Sequence, residues 1–282
     1  MKKFFTWTGF IVAALLSVVL MGGASIYFAS EYELGREFPA PYAATLAIPT
    51  DAAEIAAGKR IAQLAGCLHC HGEDLSGALV DDIPHLVRLV APNISVKLPE
   101  YSDAQLVAML RKGVKPDGTS VVFMPSEMYR HLGDQDLARL ISWLRTVPAT
   151  PAGIQEETEI RAIGRFLLAK GDFKTAAEAI KTLPPAIDDV DVNDPVSRGR
   201  YLTMSLCSEC HGQALEGFPP ISAPPLAVAK AYSLDQFTRL LRDGTAAGDR
   251  ELKLMGPTSR VRFSLFAPDE IAAVHAFLQT LK

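Results

Sequence analysis

All four cysteines of this 282-residue chain fall into two copies of one pentapeptide, Cys67-Leu68-His69-Cys70-His71 and Cys207-Ser208-Glu209-Cys210-His211. The Cys-x-x-Cys-His spacing is the attachment signature of c-type haem. Two thiols add to the two vinyl groups of one porphyrin, and the next side chain is then held beneath the iron as an imidazole ligand. Two copies imply two covalently bound haem c groups, attached through Cys67, Cys70, Cys207 and Cys210, with His71 and His211 as proximal iron ligands. A redox-active disulfide or a zinc site also uses paired cysteines. Neither requires a histidine directly after the second cysteine, and here both copies have one.

The two copies agree well beyond five residues, as an internal duplication should. Residues 67–77 and 207–217 share the frame CxxCHGxxLxG. Further on, the segment opening at Tyr101 pairs with that opening at Tyr232, and both run to Leu-Arg-x-Gly, at Gly113 and Gly244, where glycine suits a helix C-terminus. Residues 132–147 and 266–281 also match, each placing acidic residues ahead of an apolar helical periodicity. Each unit reads as helix, haem motif, loop, helix, loop, helix, with almost no strand-like alternation, so the expected class is all-α. About two domains is also what this length suggests. The expected division is 1–30 anchor, 31–50 tether with Pro39, Pro41 and Pro49, 51–148 first domain, 149–192 helical linker, 193–282 second domain. Within the linker a helical stretch is expected over residues 155–182, faintly like one tetratricopeptide helix pair, a unit that cannot bury its own face alone.

The net charge of −4 with 21% charged residues excludes a basic nucleic-acid footprint and a disordered chain. Lys2 and Lys3 precede a stretch from Phe4 to Ser30 without a charged side chain. As a helix this stretch would exceed the roughly 30 Å hydrocarbon core of a bilayer. The lysine pair keeps the N-terminus cytoplasmic and exports the remainder. A cleaved signal peptide, with a core from Phe10 to Leu20 and small residues Gly22 to Ser25 near a cut, is the competing reading. Apolar character continuing through Ile26, Tyr27 and Phe28 favours a retained anchor. Either way the haem segments are expected in the periplasm, beside a bacterial inner membrane.

Six-coordinate iron needs a second axial ligand, and methionine thioether suits a high potential. Of seven methionines the duplication selects two, because Tyr101 to Met124 and Tyr232 to Met255 both span 23 residues. Met128 falls opposite Ser259, Met109 opposite Leu240 and Met204 opposite Leu64, while Met1 and Met21 belong to the N-terminal segment. Met124 and Met255 are therefore the expected sixth ligands. His69, His131 and His275 face Glu209, Leu265 and Ile141, and His85 lies in a loop of unequal length. None of these four is expected to bind metal; His85 is the one placed to touch a haem edge or propionate.

With these residues in view, the chain resembles a membrane-anchored dihaem cytochrome c with two class I cytochrome c domains in tandem. The frames, the Met124-Pro125 step before a closing helix, and Leu254-Met255 followed by Arg260-Val261-Arg262-Phe263 carry that likeness. The resemblance implies that the carbonyl of Pro92, and of Pro224 or Pro225, accepts a hydrogen bond from the ligand imidazole. It further implies an electron carrier rather than an enzyme, passing electrons from a dehydrogenase or quinol-oxidising complex to a terminal acceptor through redox partner proteins. Two alternatives stand beside it. One is the cytochrome subunit of a membrane dehydrogenase, although such subunits commonly carry three motifs. The other is a dihaem peroxidase-like enzyme, which would need an open iron.

Overall fold

The computed structural model describes residues 2–39 and 46–282; Met1, Pro41 and the side chains of Lys2 and Lys3 lie outside what it describes. The first helix, α1 (Lys2–Leu34), is continuous. Its segment Trp7–Leu34, 28 residues, is long and apolar enough to cross a membrane, about 42 Å at ~1.5 Å per residue. The helix runs past residue 30, so the segment expected as a tether begins as helix. Nor is the next stretch free: Phe38 N–H donates to Gly118 O at 2.8 Å, and the Phe38 ring is buried with Val114 and Ala177. Ser142 Oγ–H donates to Pro49 O.

The first repeat opens with α2 (Ala52–Leu64), whose N-cap Asp51 accepts from Glu54 N–H, and continues into α3 (Cys67–His71). There follow β1 (Ala78–Ile83) and β2 (Val87–Ala91), then α4 (Asp103–Lys112), α5 (Ser126–Tyr129) and α6 (Asp134–Leu144). The strands correct the expectation of a plain loop. They pair antiparallel, with a bulge between Leu79 and Asp81. The β-prone run Val87-Arg88-Leu89-Val90 buries Val87 and Val90 and leaves Arg88 and Leu89 half-exposed. His85 turns the hairpin on left-handed backbone, φ 64°, and is exposed.

Residues 155–182 hold the expected helix pair from Ala162 on, but the stretch ahead of it is not helical. They give β3 (Glu159–Ile160), α7 (Ala162–Lys170) and α8 (Ala176–Lys181). Strand β3 adds to β2, and Thr158 Oγ1 exchanges hydrogen bonds with both Val90 N–H and Val90 O, so polar backbone pairing overrides the helical pattern here. Helix α7 then lies against the end of α1. The Arg165 guanidinium stacks over the Tyr27 ring at 4.6 Å and pairs with Glu31 at 2.6 Å.

The second repeat comprises α9 (Pro195–Leu206), α10 (Ser208–His211), α11 (Leu234–Asp243), a two-stranded pair β4 (Thr245–Ala246) and β5 (Arg250–Glu251), α12 (Met255–Val261) and α13 (Pro268–Leu278). The helices otherwise repeat in detail. Helices α4 and α11 each open on a capping box, Ser102 with Gln105 and Ser233 with Gln236, and each closes on a left-handed glycine, Gly113 and Gly244. In both repeats the first and last helices cross at a glycine: a Cβ on Gly58 would lie 1.9 Å from Arg139 O, and one on Gly199 would lie 1.9 Å from Ala273 O. One apolar cluster runs through both repeats, from Ala62, Leu68 and Ile141 to Leu206, Phe237 and Ile271. The chain is thus an all-α protein of two tandem helical domains with one N-terminal candidate membrane helix.

Candidate functional site

The shared frame CxxCHGxxLxG becomes the same backbone twice. Gly77 N–H donates to His71 O at 2.8 Å, and Gly217 N–H to His211 O at 2.9 Å. The frame leucines, Leu75 and Leu215, both sit at φ 59°, an uncommon conformation for a branched side chain. It turns their carbonyls toward the next segment, where Leu75 O accepts from Ile94 N–H at 3.1 Å and Leu215 O from Leu226 N–H at 2.9 Å. The frame glycines permit that approach. Each has positive φ, and a Cβ would sit 2.7 Å from Ala91 O at Gly77 and 2.5 Å from Ala223 O at Gly217.

The proline-bearing segments are thereby laid against the histidines. His71 Nδ1–H donates to Pro92 O at 2.9 Å, and His211 Nδ1–H to Pro224 O at 2.8 Å. Between Pro224 and Pro225, the structure selects the former. With Nδ1 engaged, Nε2 of each ring carries the lone pair that a metal would use. Burial holds both imidazoles below the usual histidine range, against the opposing pull of the proline carbonyls. Each ring is thus oriented by its proline carbonyl, with Nε2 left for ligation. The four cysteines form no disulfide, and burial pushes the Cys67 thiol up to about 11 and the Cys207 thiol up to about 12. This donor set suits a porphyrin taken up through two thioethers and one imidazole per domain.

Met124 precedes α5, whereas Met255 is the first residue of the longer α12. The interval from Met255 to Phe266 is three residues longer than that from Met124 to Leu132, and this difference lies after both methionines, so the register relating them is unaffected. Both are half-buried beside the core, with surface left for a sulfur to meet a planar group. Met128 is wholly buried core. Among the other histidines, His69 and His85 are exposed, and His275 Nε2 meets Tyr232 O at 2.8 Å.

His131 belongs to the seam between the domains, a role the sequence alone did not suggest. Its Nε2 meets Gln213 Oε1 at 3.0 Å, and its Nδ1 accepts from Ile187 N–H at 3.1 Å. Tyr201 reinforces the seam, its hydroxyl donating to Asp136 at 2.6 Å and accepting from Gly133 N–H at 3.2 Å. Burial, and secondarily the charges of Arg130 and Arg200, hold His131 below its ordinary value of about 6.5. A depressed folded-state value means that the seam is intact above about pH 6.5 and is lost as the pH falls through the folded value. The thermal midpoint should accordingly drop between pH 7 and 5, and drop less in His131→Gln, which gains no proton. Equal losses in the two proteins would remove His131 from this role.

Two helical domains, each presenting two thiols and an imidazole fixed by a proline carbonyl, describe a haem protein built for electron transfer. The chain belongs to the cytochrome c family, which matches it over residues 55–148 and 196–282. Two cytochrome c domains bind two covalently attached haem c groups. Over 169 residues the chain is 28% identical to the fructose dehydrogenase cytochrome subunit of Gluconobacter japonicus, covering 56% of this chain and 34% of that one. It is 26% identical over 183 residues to the cytochrome c subunit of alcohol dehydrogenase (quinone) of Gluconobacter oxydans strain 621H, covering 60% and 37%. The match thus spans about a third of either relative's length.

Proposed function

We propose that this cytochrome is a single-pass inner-membrane electron carrier with both haem domains in the periplasm, taking electrons from a dehydrogenase or quinol-oxidising complex and passing them to a terminal acceptor. Bound haem supplies a one-electron couple. The residues supply the rest: Cys67, Cys70, Cys207 and Cys210 would hold the group covalently, and His71 and His211 would each offer Nε2 to the metal. Met124 and Met255 would supply the second ligand of each iron. The observation that carries the reading is the repeated His–Pro hydrogen bond, with a half-buried methionine in matched register in each domain. Two ligands per iron leave no position for substrate, so the protein acts as a relay and not as an enzyme. Helix α1, with Arg165 of α7 clamped on Tyr27 and Glu31, supports placement beside a membrane.

The relatives favour a second reading, in which the chain is the cytochrome subunit of a membrane dehydrogenase, since both are described as cytochrome subunits of dehydrogenases. Optical spectra of the purified protein, oxidised and reduced, with carbon monoxide added to the reduced form, test the carrier reading. Two low-spin haems per chain and no response to the gas are expected; gas binding at one haem in the native protein would give the peroxidase-like reading the lead. Purification in mild detergent separates the two non-enzymatic readings, because a flavin or quinoprotein subunit should accompany the chain only in the second.

A further inference from the structure

Arg262 is a buried cation set between the two haem segments. Helices α2 and α9 end at Leu64 and Leu206, three residues and one residue ahead of the first cysteine of a Cys-x-x-Cys-His turn. Arg262 Nε–H donates to Leu64 O at 2.9 Å, and Nη2 reaches Leu206 O at 3.5 Å. Its Nη1 pairs at 3.0 Å with Glu209, which lies inside the second Cys-x-x-Cys-His. One side chain therefore serves the last carbonyls of two helices from different domains, where unpaired C=O groups and the helix dipole both favour a cation. The guanidinium packs beside Phe263 at 5.4 Å, and Gly66 makes room for it: a Cβ there would lie 2.9 Å from Cζ. Arg262 is only 7% exposed, and its charge acts on all four cysteine sulfurs. Matching the closing helices α6 and α13 places it opposite the apolar Met128 of the first domain.

We infer that Arg262 is a shared tuning residue, a single desolvated charge that raises the reduction potentials of both haems together. The inference rests on the assignment of residues 67–71 and 207–211 as the two haem segments. Reduction adds an electron at each iron, and a fixed cation nearby favours the reduced form. Glu209, in direct contact but partly open to solvent, offsets this charge only in part. At an effective dielectric of about 20, a unit charge about 12 Å from a redox centre moves its equilibrium about tenfold.

The test is a haem count by pyridine haemochromogen, followed by spectroelectrochemical titration of the full chain in detergent. In Arg262→Met two haems should remain and both midpoints should fall, about tenfold in each equilibrium, equivalent to about 59 mV for a one-electron couple. Arg262→Lys should retain most of the wild-type midpoints, and Glu209→Gln should raise both. If Arg262→Met does not accumulate, Glu209→Gln decides the matter. An unchanged midpoint at either haem in Arg262→Met or in Glu209→Gln overturns the inference. So does a fall in Arg262→Lys as large as in Arg262→Met, which would reveal a packing effect and not a charge. A wild-type count other than two haems per chain overturns the haem assignment itself, and the inference with it.

Discussion

His71→Ala is expected to leave one low-spin haem where the wild type has two, and to melt the first domain well below the second. The α3 turn is only five residues long and has no stability of its own. It is held by the covalent attachment, by ligation and by the His71–Pro92 hydrogen bond. Removing the imidazole cuts the last two together. The Pro92 carbonyl is open to solvent, so the lost hydrogen bond itself costs about 0.5–1.5 kcal/mol, before the loss of the iron ligand is counted. Against a typical domain stability of about 5–15 kcal/mol, the sum is a large fraction. His211→Ala should do the same to the second domain. Because one apolar cluster crosses the seam, each variant should also lower the melting point of its intact neighbour, by less than that of its own domain. Haem content and thermal melts followed at the haem bands measure both effects. Two undisturbed low-spin haems in His71→Ala would show that the iron is held by a different ligand.

The sites were more readable than their surroundings, for a physical reason. Covalent haem attachment demands fixed residue types at fixed spacing, and duplication then supplied an internal comparison that selected Met124 and Met255 from seven methionines. Capping boxes such as Ser102 with Gln105 are local chemistry and could be read in the same way. The β1–β2 hairpin could not, because five- and six-residue strands leave little periodicity, and their third partner comes from the linker some seventy residues on. Arg262 escaped for a different reason. A three-residue insertion between Met255 and Phe266 breaks the register there, so a comparison of repeats runs out just where the arginine stands opposite the buried Met128. The role of His131 likewise depends on Gln213 and Ile187, far away in sequence. Contacts between domains carry no local pattern.

Met124→Ala is expected to leave both haems attached while opening the first to carbon monoxide and lowering its potential. The cysteines and His71 would still hold the group, so the change should fall on the vacated side of the iron alone. Thioether ligation raises the potential of haem iron, and axial ligands as a class span roughly 0.8 V. A fall on the order of 100 mV is therefore expected at the first haem, with the second almost unmoved. Met255→Ala should give the mirror result. Met128 supplies the control that separates ligation from packing. It is wholly buried among Leu106, Leu132 and Ile141 in the same apolar cluster, so Met128→Ala should create a cavity costing about 2–5 kcal/mol. That variant should melt early and yet refuse the gas. Were Met128→Ala to open the first haem while Met124→Ala left it closed, the register relating Met124 to Met255 would be the wrong one, and the ligand would have to be sought in the turn that follows Pro125.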